Sequence, residues 1–278
     1  MAIKDLAVAY NASANADTAV EFAIQMCRKY QSALTGLYVE APVRFEGQIQ
    51  RWISDEVMKD LKRAEREASD SIEAKFRETV AATDFAGTVE WIREQGHPNT
   101  GLARLARYYD LLLIGQFSNP ADTNKPVRAE DLVLMSGTPL ITVPHGYQVR
   151  PFEEYAVVAW DGSRPAARAL SDAMQILETK KRLDVVTVGA KGKGGADAAA
   201  PVPDMITHLQ RHGIDARRIT LSASREGVGQ TILDYCAEND PDVLVMGAYS
   251  QTRLREDLFG GVTKHVLNTM CVPVLMAH

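Results

Sequence analysis

Apolar and polar positions change their period repeatedly along this chain. Ile3 to Tyr10 alternates and then runs apolar, as a buried strand does, and Asn11 to Asn15 supplies turn and cap residues for a helix from Asp17 to about Tyr30. Ala33 to Val39 returns to a strand. From Ser54 to Val80 the apolar or small residues Val57, Leu61, Ala64, Ala68, Ile72, Phe76 and Val80 recur every three or four places, one stripe on a long charged helix. A narrow stripe with alanine at its middle predicts packing on a parent sheet better than capture of a partner. Thr88 to Arg93 reads as a strand, Pro98 to Tyr108 as a helix, and Asp110 to Gly115 as a strand buried on both faces. Helix 127–135 and strand Pro139 to Val143 come next.

Pro144-His145-Gly146 and Pro151 mark a joint, after which the pattern starts again. Strands are predicted at Tyr155 to Trp160, Arg182 to Val188, Arg217 to Leu221, Asp242 to Gly247 and Val272 to Met276. Helices are predicted at Pro165 to Glu178, Pro203 to His212, Gly227 to Glu238 and from Val262 onward. Asn11-Ala12-Ser13 aligns with Asp161-Gly162-Ser163 at an offset of 150, Gly115 with Gly247 at 132, and Pro139 with Pro273 at 134. This is a duplication, with units spanning 1–146 and 152–278. Each unit alternates five strands with four helices, which predicts an α/β fold of two tandem five-stranded parallel sheets, Rossmann-like, covered by helices on both faces. Ligands of such sheets sit at the carboxyl ends of the strands, where the strand order reverses.

Composition narrows the functional classes. The chain has 278 residues, and 31 basic against 36 acidic side chains give a formal charge of −5, which disfavours a broad nucleic-acid or anionic-membrane surface. No apolar run approaches the ~18 residues of a membrane span, and the N-terminus turns polar too early for a signal peptide. Cys27, Cys236 and Cys271 form no close pair, which fits a reducing cytoplasm and no disulfide framework.

The stretch Leu244 to Thr263, LVMGAYSQTRLREDLFGGVT, carries the most specific chemistry. A buried strand ends at Gly247, a polar turn succeeds it, and Gly260-Gly261 opens a helix, so backbone N–H groups could converge on an anion. Gly189 to Gly195 has neither Walker spacing nor a complete GxGxxG, and reads as a flexible loop from which Lys191 and Lys193 could swing over a phosphate. His208 and His212 have a metal-compatible spacing but no evident third ligand, and read as solvated helix residues. No nucleophile and base pair stands out, Ser163 reads as a helix cap, and Cys236 reads as core.

The duplicated unit, the strand ends VVAWDGS and VLVMGAYS and the closing CVPVLM together resemble the universal stress protein family in its tandem form, over nearly the whole chain. The resemblance implies an adenine nucleotide alpha hydrolase-like fold, two units related by a pseudo-twofold axis that pair through their last strands, and homodimers as a further assembly. Its ATP-binding members carry a glycine, two residues, a second glycine, nine residues, then glycine and a hydroxyl residue. Here Gly247, Ala248-Tyr249, Ser250, nine residues and Gly260-Gly261 keep the spacing, with Ser250 in place of the second glycine and Gly261 in place of the hydroxyl residue. By position the resemblance places Asp161, with Ala159 nearby, at the ribose, Val188 at the adenine, and Gly247, Ser250, Gly260, Gly261, Val262 and Thr263 at the phosphates. The plainer reading of the same residues is that the glycines permit tight turns and Asp161 caps the next helix.

The first half departs further. Asn11 replaces the acid, the turn after Gly115 has ten residues where the other has twelve, and Pro126 and Val127 stand where Gly260 and Gly261 do. Proline offers no N–H to a phosphate. The expectation is therefore a regulatory stress protein of the cytoplasm that binds ATP or a related adenine nucleotide, with or without Mg2+, in the C-terminal unit alone. The alternatives are a stress protein without nucleotide that works through protein association, and a weak ATPase. The SGGxDS and HIGH motifs of ATP pyrophosphatases and nucleotidyltransferases are missing from the corresponding segments, YNASANAD and WDGSRPAA.

Overall fold

The computed structural model describes residues 3–41, 54–116, 127–189, 202–249 and 261–278, the side chains of 202–204 excepted. The first half runs β1 (Asp5–Ala9), α1 (Ala14–Tyr30), β2 (Ala33–Glu40), α2 (Asp55–Ala81), β3 (Val89–Gln95), α3 (Pro98–Ala106), β4 (Leu111–Gly115), α4 (Ala129–Ser136) and β5 (Leu140–Val143). The second runs β6 (Tyr155–Ala159), α5 (Arg164–Leu177), β7 (Arg182–Gly189), α6 (Val202–Arg211), β8 (Ala216–Ser222), α7 (Val228–Asn239), β9 (Val243–Gly247), α8 (Gly261–Thr269) and β10 (Val274–Ala277).

The ten strands among the described residues form one sheet in the order β3-β2-β1-β4-β5-β10-β9-β6-β7-β8. Pairing is parallel within each half, while β5 and β10 meet antiparallel, Val274 opposite Thr142 and Met276 opposite Leu140. The two tandem Rossmann-like units thus share a continuous sheet. Side chains alternate across it: Leu111 and Leu113 of β4 join one apolar layer, with Phe22 of α1, Phe76 of α2 and Leu170 of α5. Leu112 and Ile114 join the other, with Leu102 of α3, Leu132 of α4, Ile232 of α7 and Val266 of α8.

Serine caps set where the helices start. Ser13 accepts the Ala16 N–H at 3.2 Å, so α1 begins at Ala14, three residues before the predicted Asp17. Ser54 and Ser163 do the same for Val57 and Ala166 at 3.3 Å each. The predicted stripe on α2 needs correction, because Val57, Ala64 and Ala68 are exposed and burial concentrates at Ser69, Phe76, Thr79 and Val80. A helix of 27 residues is about 40 Å long, whereas the eight-residue β2 spans about 26 Å. The N-terminal turns of α2 therefore overhang the sheet, and only the C-terminal ones pack on the core.

Candidate functional site

In the second half the strand order reverses at β6, which has β7 on one side and β9 on the other. Ala159, the last residue of β6, lies between Val186 and Met246, so the crevice beyond the strand ends is bounded by Ala159, the β9 terminus and the segment leading to α5. Asp161 is exposed in that segment. Its Oδ1 accepts the Ser163 N–H at 2.9 Å, and Ser163 in turn caps α5. The carboxylate thus shapes the turn, as the plainer reading had it, while remaining open to solvent. Val188, partly buried at the end of β7 opposite Leu221, belongs to the layer under α7 and α8.

Gly247 closes β9 under a tight steric constraint. A β-carbon there would lie 2.4 Å from the Ala166 nitrogen and 2.5 Å from the Pro165 carbonyl carbon, so the first turn of α5 rests directly on this glycine. Ala248 donates to the Ala277 carbonyl at 3.0 Å. Tyr249 adopts φ 55° and donates its N–H to the Thr263 hydroxyl at 3.4 Å. Thr263 is buried, and its hydroxyl pins the chain leaving β9 to α8. Gly261 and Val262 are exposed at the start of α8, and among the described residues a β-carbon on Gly261 would meet nothing within 4 Å. Ser250 and Gly260 lie outside the described residues, as do Lys191, Lys193 and the loop Gly189 to Gly195 beyond its first residue.

In the first half the order reverses at β1, and the strand ends beside that point carry a side-chain network. Asn11 accepts from both the Ser13 N–H, at 3.2 Å, and the Ser13 hydroxyl, at 2.7 Å. Asn15 donates to the Gln116 carbonyl at 2.5 Å and lies 2.7 Å, Oδ1 to Nδ1, from His145. The His145 N–H donates to Gln116 Oε1 at 2.8 Å, and Gln116 Nε2 reaches across to the Leu267 carbonyl of α8 at 2.7 Å. One glutamine thus links the end of β4, the end of β5 and a helix of the other unit. Sequence reasoning missed this network because its members are up to 151 residues apart. Val127 is partly buried, and Pro126 lies outside the described residues.

Two charge clusters at the opposite end of the strands were also missed. Asp242 and Lys180 form a buried pair at 2.8 Å, and the Asp242 carboxylate also accepts the Glu153 and Tyr155 N–H groups. Asp184 is wholly buried on β7 and accepts from Tyr155 and Tyr235 hydroxyls at 2.7 and 2.8 Å and from Arg182 and Arg217 at 2.7 and 2.9 Å. Burial alone would raise this carboxyl, but the hydrogen bonds from Tyr155, Arg217, Tyr235 and Arg182 outweigh it and hold the group below its ordinary value. A lone aspartate inside the apolar run Leu183 to Val188 was the signal available in the sequence. Cys236 is fully buried and its thiol is pushed up by burial, in keeping with a core residue; burial likewise pushes Cys27 to about 12. No helix among the described residues is long and apolar enough to cross a membrane.

Comparison with known proteins completes the picture. The profile of the universal stress protein family matches residues 2–121 and again residues 156–278. Among solved structures, a universal stress protein from Archaeoglobus fulgidus DSM 4304 superposes with a TM-score of 0.71 at 18% identity, over 98% of this chain and 95% of that one. A functionally unknown protein from Pseudomonas aeruginosa PAO1 gives 0.58 at 17% identity, over 99% and 92%. At such identities the likeness is one of fold. None of the curated proteins matches the chain. Both halves carry the family profile over most of their length, and the chain belongs to the universal stress protein family.

Proposed function

We propose that this chain is a stress-response regulatory protein that binds ATP or a related adenine nucleotide in its C-terminal unit. The supporting observation is the contrast between the two crevices: beside the ends of β6 and β9 the carboxylate Asp161 is exposed, as are Gly261 and Val262 at a helix start, whereas the first half has the neutral Asn11 in place of that acid, with Asn15, Gln116 and His145 tied to one another at the neighbouring strand ends. In this reading Asp161 meets the ribose, Ala159 and Val188 flank the adenine, and Gly247, Ser250, Gly260, Gly261 and Val262 bring backbone N–H groups to the phosphates, with Mg2+ as an accompanying ion. Thr263 adds its backbone N–H at the start of α8, while its hydroxyl holds the loop through Tyr249. The domains are 1–146 and 152–278, and they act as a built-in pair in which the first supports the second.

Calorimetric titration of the full chain with ATP, with and without Mg2+, tests the proposal. One nucleotide per chain is expected, with about tenfold weaker binding in Asp161→Ala, the loss of one charge-assisted hydrogen bond. Gly261→Ser, for which the β-carbon position is open among the described residues, restores the family's hydroxyl and should tighten binding. Absence of binding at millimolar ATP overturns it.

A second reading, association without nucleotide, draws on the structural duties already held by the same residues: Gly247 seats α5, Asp161 shapes its turn, and Thr263 binds Tyr249. It predicts a melting temperature unmoved by ATP together with concentration-dependent assembly.

A further inference from the structure

The end of the molecule away from the crevice carries an arrangement that the nucleotide reading does not use. His208 on α6 and His212, four residues on and just past the end of that helix, are both exposed, and their rings meet edge to face with centroids 4.8 Å apart. Glu178, which caps the C-terminus of α5, brings Oε1 to 3.4 Å from His212 Nδ1. Both side chains of that contact are close to half exposed, so a hydrated ion has access. A carboxylate on the Nδ1 side of the ring favours the tautomer that carries its proton there, which leaves the Nε2 lone pair for a metal. Among the described residues no three His, Cys, Asp or Glu side chains form a ready cage. Two exposed imidazoles in contact, with a carboxylate beside one of them, supply the donor set of a two-histidine chelate with an outer carboxylate.

We propose that His208 and His212 form a surface site for a borderline divalent transition metal of the zinc class, with Glu178 as the positioning residue for His212. Imidazole pairs suit zinc, nickel and copper, whereas magnesium and calcium require oxygen ligands, so the site discriminates by ligand chemistry. Water completes the coordination. Binding takes neutral imidazoles, and any proton an imidazole carries is released to solvent as the metal–nitrogen bond forms. The site lies where α5 and α6 lead into β7 and β8, at the amino ends of the strands, and is independent of the adenine-nucleotide reading.

Calorimetric titration of metal-stripped full-length protein with Zn2+, in a Cys271→Ser background that removes the exposed thiol, tests the assignment. One equivalent is expected to bind, with no comparable signal from Mg2+. His208→Gln and His212→Gln should each weaken it by about tenfold or more, and Glu178→Gln by an amount near the lower end of the ~10–100-fold range of outer-sphere partners. Because all three side chains are exposed, circular-dichroism melts without metal should be unchanged, and Zn2+ should raise the melting temperature of the parent but not of the double histidine variant. Equal Zn2+ binding by the parent and the double variant, or no binding by the parent, overturns the site. Unchanged affinity in Glu178→Gln overturns its positioning role.

Discussion

Gly115 and Gly247 hold matching places at the ends of β4 and β9, and at both a β-carbon would strike helix N-terminal backbone, 2.3 Å from the Asn15 carbonyl oxygen and 2.4 Å from the Ala166 nitrogen. The residues after the two glycines behave differently. Both carbonyls are engaged, Gln116 by Asn15 and Ala248 by His278, but the Gln116 side chain also joins His145 and Leu267, whereas Ala248 has only a methyl group and Tyr249 leans on Thr263. The shared glycine therefore belongs to the fold, since it lets a helix rest on a strand end, and the residues just beyond it are where the units diverge. A glycine that satisfies a motif can have a steric cause that no ligand imposes.

The largest test of that comparison is Gly115→Val against Gly247→Val. Both should lose about 3 kcal/mol in urea unfolding, because the clashing atoms are backbone and cannot rotate away. A cheap substitution at either place would break the equivalence. Next come Asp110 and Asp242, which occupy the same turn. Asp110 is exposed and accepts the Lys4 and Asp5 N–H groups, whereas Asp242 is buried and adds Lys180. Asp242→Ala should cost about 3 kcal/mol, because it leaves the buried Lys180 ammonium with only its longer contact to Glu154 and unpairs the Glu153 and Tyr155 N–H groups, and Asp110→Ala about 1.

Acid should divide the units as well. Register puts Thr35 of β2 where β7 has Asp184, opposite Ala7 and Val157 respectively. A carboxyl held below its unfolded pKa of ~4 stabilises fully above that value, and the contribution is lost as pH falls through the lower folded value. Asp184→Asn should cost about 2 kcal/mol at neutral pH and flatten the acid limb of stability against pH, while Thr35→Val leaves that limb in place. The smallest effect concerns the turn before each first helix. Ala12 has φ 62° where Gly162 has 74°, a left-handed conformation that disfavours a β-carbon. Ala12→Gly should stabilise and Gly162→Ala destabilise, each by about 1 kcal/mol in thermal or urea unfolding.

Periodicity and turn chemistry were enough to predict the eighteen elements seen among the described residues, because alternating apolar strands and serine-capped helices are local signals; Ser13, Ser54 and Ser163 cap where hydroxyls precede helical patterns. Duplication was legible for the same reason, as repeated turns sit at repeated offsets. The overhang of α2 was not, since a stripe shows which face can be buried and not how far the sheet beneath it extends. Nor were Gln116 with Leu267, Lys180 with Asp242, or Glu178 with His212, which are pairings between distant positions that only the packed sheet brings together. For the candidate site, sequence offered ligand approach and a tight turn as readings of Gly247, and the packing of α5 adds a steric cause that only the assembled layers display.

The antiparallel seam between β5 and β10 joins strands of a single polypeptide. Where two separate molecules would have to find each other, the tether supplies its own effective concentration, so the seam should survive any dilution and melt at a temperature independent of protein concentration. It also leaves β3 and β8 as the outer strands of the ten, far from the joint. One half is then free to drift in sequence without losing its counterpart, because every molecule carries both the drifting copy and the copy it supports.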